Sequence, residues 1–185
     1  MIERIIAYHC GPALAGIKPA NMVACHKNKI PNIHQEIARL NQQLNGRDIY
    51  FEILCECQKR VVLLVYRSKL LEAYLHKQEI QDLLSTFGYE RNGELAGYLE
   101  TLKKRMRLTG KEFPHEIGAF LGYPSHDIYG FIHHKDTGCL MVGEWKVYQN
   151  AEYARALFLR YHICRRAILK RLMDGKTLAQ VFRAS

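Results

Sequence analysis

Residues 50–67, YFEILCECQKRVVLLVYR, decide how this chain is read. Tyr50–Cys57 and Arg60–Arg67 are rich in strand-favouring residues, and only Gln58-Lys59 stands between them. The pair therefore reads as a β-hairpin. Its second run, VVLLVY, is apolar at successive positions and so on both faces. A strand buried on both faces belongs in the middle of a sheet.

Working outward, Pro31 precedes Asn32–Leu44, where Ile33, Ile37, Leu40 and Leu44 recur at helical spacing until Asn45-Gly46 ends the pattern. Further back, Ile5–His9 reads as a short buried strand leading into a glycine-bearing turn. Pro19 then reads as the first position of a helix over Ala20–His26. Downstream, helices are expected over Lys69–His76, Glu79–Phe87, Gly93–Leu108, Glu116–Leu121 and His126–His133. Gly122-Tyr123-Pro124 parts the last two, because proline disfavours helix in the residue before it. Leu140–Tyr148 (LMVGEWKVY) reads as a fourth strand. Asn150 caps the longest helix, Ala151–Met173, which ends at Asp174-Gly175. There is no internal repeat, low-complexity tract or linker. The expected fold is a single α+β domain over residues 1–185: a small mixed β-sheet of about four strands covered by helices, with a long C-terminal helix.

The chain has 185 residues, 48% of them hydrophobic and 24% charged, which excludes wholesale disorder and allows a substantial core. No apolar run approaches the roughly 20 residues of a membrane-spanning helix. The start, MIERIIAYHC, is too charged and its apolar stretch too short for a secretion signal, so a cytoplasmic protein is expected. The six cysteines contain no CxxC pair and fit a reducing compartment. A formal net charge of +9 favours anionic partners: an anionic small ligand, nucleic acid or an acidic protein.

Four ordered motifs, HCGPALAGIKPAN, LLVYR, HEIGAFLGYPSHDIYGFI and GEWKVY, together resemble an uncharacterised family of anaerobic bacteria, domain of unknown function 3793. The resemblance covers nearly the whole chain. It implies one module and a loose association with genes for iron handling and flavodoxins, but no assigned activity.

The chemistry-bearing residues gather in two regions. The first is HCGPALAGIKP, residues 9–19. A phosphate loop of the G-x-x-x-x-G-K-[ST] type needs a lysine and then a hydroxyl after its second glycine. Gly11 and Gly16 have the required separation, but Ile17 takes the lysine position, Lys18 comes one late and Pro19 replaces the hydroxyl. What survives is a simpler anion site, with loop amides, a helix N-terminus and Lys18 around the ligand, and His9 beside it. His9-Cys10, Cys25-His26, Cys55 and Cys57 supply residue types that bind zinc or iron, so a metal ion or haem is a further expectation. Against both stand the plain alternatives of a tight turn and core thiols.

The second region holds Tyr123, His126, Asp127, His133 and His134, with Asp136 and His115-Glu116 nearby. A histidine beside a carboxylate can act as a base or a ligand. Basic residues cluster on the last long helix (Arg155, His162, Arg166, Lys170) and at Lys103, Lys104, Arg105, Arg107 and Lys111, which suits a phosphate backbone.

The leading expectation is a ligand-binding or redox-associated protein with one pocket at His9, Gly11, Gly16 and Lys18, for an anionic or metal-containing ligand. Nucleic-acid association is the alternative, and a protein-interaction module without a small ligand the third. No motif names a reaction.

Overall fold

The computed structural model describes residues 1–108, 113–135 and 137–183. In chain order the elements are α1 (Ile2–Leu14), β1 (Ala20–His26), α2 (Ile33–Leu44), β2 (Tyr50–Glu56), β3 (Arg60–Tyr66), α3 (Ser68–Leu75), α4 (Gln78–Ser85), α5 (Leu95–Leu108), α6 (Ile117–Phe120), α7 (Ser125–His134), β4 (Met141–Val142), β5 (Lys146–Val147), α8 (Ala151–Met173) and α9 (Leu178–Val181). The fold class is α+β. The residues group into two compact units, Met1–Leu70 with Ile163–Ser185, and Leu71–His162.

The hairpin organises the first unit. β3 pairs antiparallel with β1 on one side and β2 on the other, so the doubly apolar strand is the central one, as its composition requires. Leu63 sits between Val23 and Ile53 and is fully buried. Ile33, Ile37, Leu40 and Leu44 of α2 join α1 and the sheet in one core cluster.

Two expectations before the hairpin are reversed. Ile5–His9 lies inside helix α1, and Ala20–His26 is an edge strand. The buried positions Ile2, Ile6, Cys10 and Leu14 repeat every four residues, a helical period that a five-residue window reads as a β run. Pro12 stands within the helix and cannot donate. The next amide, Ala13 N–H, donates to the Asn21 side chain on β1 at 3.1 Å, which satisfies the disturbed turn. Pro19 opens a strand instead of a helix. Its ring suits the first residue of an edge strand, and its carbonyl still accepts from Arg67 N–H at 3.0 Å.

The second unit is mostly helical. Leu140–Tyr148 folds as a tight hairpin of two short strands, β4 and β5, rather than as one strand. Glu144 and Trp145 fall at its turn, with Gly143 N–H donating to Trp145 O. α8 forms over the expected residues, with Tyr161 buried in this unit and Ile168 and Leu172 buried in the first. Among the described residues, no helix is long and apolar enough to cross a membrane.

Candidate functional site

The first region does not take the shape expected of it. An anion cradle needs a helix N-terminus, whose amides are free. Here α1 ends at Leu14, so its last carbonyls are what the turn presents. Arg67 caps them: its guanidinium donates to Ala13 O at 3.3 Å, to Leu14 O, and to Arg47 O at 2.9 Å. Gly11 is a packing glycine. A Cβ there would lie 3.0 Å from Arg165 Cγ and 3.2 Å from Arg165 Cα, so α8 crosses α1 at this point. Gly16 has φ +71° and turns the chain after the helix. His9 is exposed, whereas Lys18 is buried, at 2% exposure.

The metal-type residues of this unit are spread out. Cys10 and Cys25 lie in the core cluster, and burial pushes both thiols up. His26 follows Cys25 along β1 and is exposed, Cys55 is half-buried, and Cys57 is exposed at the hairpin turn. Backbone N–H donors of Lys59 and Arg60 pull the Cys57 thiol down. Among the described residues, no three His, Cys, Asp or Glu side chains stand together as a metal-holding group.

The second region does enclose space. A cavity of about 620 Å³ is walled by α6, α7, the β4–β5 hairpin and the segment Phe113–His115. Helical spacing on α7 explains its wall: Asp127, Ile128 and Phe131 share one face, with Lys135 a further turn on. Asp127, at 3% exposure, holds the wall together. Trp145 Nε1–H donates to its Oδ2 at 2.7 Å, and Tyr148 and Gln149 N–H donate to Oδ1 at 2.7 and 3.2 Å. The indole of Trp145 is further fixed by Tyr123, stacked at 4.8 Å, and by Phe158, edge-on at 4.6 Å. Tyr123 O–H donates to Glu144 O at 3.1 Å, and burial raises its pKa to about 12.

Charge in the cavity is one-sided. Lys146 Nζ stands 5.2 Å above the Phe131 ring, His115 meets that ring edge-on at 5.4 Å, and Lys135, the residue that follows α7, lines the cavity as well. Asp127 is the one carboxylate among the described lining residues, and three N–H donors already use it. Phe113, Pro114, Ile117 and Ile128 complete an apolar body.

His126, His133 and His134 do not join Tyr123 and Asp127 in this cavity. They line a second one, of about 580 Å³, on the other face of α7. Thus the expected second site is two places divided by one helix. Sequence reasoning missed Phe113, Ile117, Phe131, Lys135 and Lys146. The signal available was the helical spacing of Asp127, Ile128 and Phe131, combined with GEWKVY as a hairpin.

Of the basic groups, Arg155, His162, Arg166 and Lys170 are exposed on α8. Arg105 is instead engaged with the buried Glu116, and Lys103 pairs with Glu100 at 2.7 Å. Lys111 and Asp136 lie outside the described residues.

No curated protein and no solved structure matches the chain. A family model described as "Protein of unknown function (DUF3793)" matches residues 6–182, nearly the whole length, and the chain belongs to that family.

Proposed function

We propose that this protein binds a small organic anion with an apolar body, and that it does so in the cavity between α6, α7 and the β4–β5 hairpin. The observation that carries this reading is that Lys146 and His115 meet the Phe131 ring in a largely apolar cavity that Lys135 also lines. An apolar pocket with a few convergent polar groups is the usual form of a small-molecule site. The sign of those groups selects an anion, because the oxygens of Asp127 are already engaged by three N–H donors of the protein. Six cysteines without a disulfide support a reducing, cytoplasmic setting.

Trp145 is the single tryptophan of the chain and lines the cavity, so its fluorescence reports occupancy. Titration with 1-anilinonaphthalene-8-sulfonate should quench it with saturation. The uncharged N-phenyl-1-naphthylamine should bind at least tenfold more weakly. Lys135→Ala with Lys146→Ala should erase the difference. Equal binding of the two probes would remove the anion assignment, and no saturable response would remove the site.

A second reading is favoured by the exposed basic face of α8. If it binds nucleic acid, binding is electrostatic and falls steeply between low and moderate salt. Arg155→Glu, Arg166→Glu and Lys170→Glu together should abolish it without unfolding the protein. Binding that is insensitive to salt and survives the triple change would contradict it.

A further inference from the structure

The face of α7 turned away from the aromatic cavity carries a different chemistry. His126, Tyr129, His133 and His134 line the second cavity, with Thr137, Tyr148 and Gln149 opposite. The rings form a continuous wall. Tyr129 and His133 are parallel to within 7° at 6.4 Å, and His133 to His134 and His134 to Tyr148 are each 6.5 Å apart.

Tyr148 is held rigidly in that wall. Its ring packs on Gly130, where a Cβ would come within 2.4 Å of it, and its hydroxyl donates to Lys135 O. Its amide donates to Asp127.

No carboxylate lines this cavity among the described residues. Asp127, which lines the other cavity, has its Oδ1 3.6 Å from His126 Nε2 and engaged by two backbone amides. The groups able to donate into it are the imidazole N–H groups and the Gln149 side-chain amide, since the Thr137 hydroxyl already donates to His134 O at 2.8 Å. Three imidazoles without three-fold convergence do not make a metal site, and none is formed among the described residues. Several donors around a space with no carboxylate among its described lining residues are what a tetrahedral oxyanion needs.

We propose that this cavity is a second site, distinct from the aromatic one, which takes a tetrahedral oxyanion: free sulfate or phosphate, or the phosphate group of an aromatic monoester. His126, His133 and His134 donate to the oxygens, and Tyr129 and Tyr148 flank any attached ring.

Inorganic sulfate and phenyl phosphate serve as probes, followed by side-chain nitrogen–proton NMR of the nine histidines of the intact protein. The resonances of His126, His133 and His134 should shift with saturation, while those of His9 and His34 stay in place. His133→Gln with His134→Gln should abolish the shifts and leave the Trp145 response to anilinonaphthalene sulfonate intact. Saturation by sulfate identifies a free oxyanion as ligand, and saturation by phenyl phosphate alone identifies an ester. Shifts spread evenly over all nine histidines, or a response to zinc with none to either oxyanion, would overturn the site.

Discussion

The stretches His9–Pro19 and His115–Gln149 are alike in composition and opposite in use. Each combines histidine, glycine, proline and a basic residue. In the first, Gly11 admits the close crossing of α8, Arg67 caps the helix end and Lys18 is buried. In the second, Gly130 admits the ring of Tyr148, and α7 is left with an open cavity on each side. The lesson is physical. A glycine lets another side chain approach closely, and whether that leaves a filled crossing or a cavity beside it depends on what the fold places there.

The largest test of the contrast is in the sheet under the packed region. Leu63→Asp puts an unpaired charge between Val23 and Ile53, and should destabilise the protein by about 4 kcal/mol or more in denaturant titration. Stability close to wild type would show that β3 is not the central strand.

Lysines come next, because the two regions predict opposite costs. Lys18→Ala removes a buried stem and should cost about 2–4 kcal/mol, as for other large buried chains. Lys135→Ala, on an exposed residue, should stay within about 0.5 kcal/mol. Equal losses would erase the distinction between packed and open.

Asp127→Ala sharpens the open side. It leaves Trp145 Nε1–H and the amides of Tyr148 and Gln149 without their acceptor, which should cost about 1–3 kcal/mol. Trp145 emission should shift to the red as the indole loosens. An unchanged spectrum would mean that the aromatic stack alone fixes the ring.

The smallest effect is a pH dependence at His9. Burial of part of the ring, then the charge of Arg165, lowers its pKa below the usual 6.5. As pH falls, the unfolded chain takes up this proton first. Stability present above pH 6.5 is therefore lost as pH drops through the folded value. His9→Gln should flatten that part of the melting-temperature profile, and an identical acid slope in the variant would contradict the assignment.

Much of the fold was legible in sequence where one pattern was long or doubly apolar. VVLLVY placed itself at the sheet centre, Ile33–Leu44 spelled a helix, and Ala151–Met173 spelled another. Those patterns report burial directly, and burial on a regular period leaves one choice of element. The opening of the chain was harder because Ile5-Ile6-Ala7-Tyr8 suits a strand locally. Only the longer repeat through Ile2, Ile6, Cys10 and Leu14, packed on the sheet, makes it helical. Pro12 and Pro19 then misled in opposite senses, one tolerated in a helix because Asn21 answers the disturbed amide, the other starting a strand.

The sequence by itself determined the α+β class, the central strand, the family and the residue types that carry chemistry. Tertiary structure alone decided that Lys18 is inside and that Asp127 and His126 line different cavities. The reason is that a cavity is made by groups distant in sequence. Phe113, Phe131 and Trp145 share a wall only once α7 and the β4–β5 hairpin have folded against each other, and no local period records that meeting.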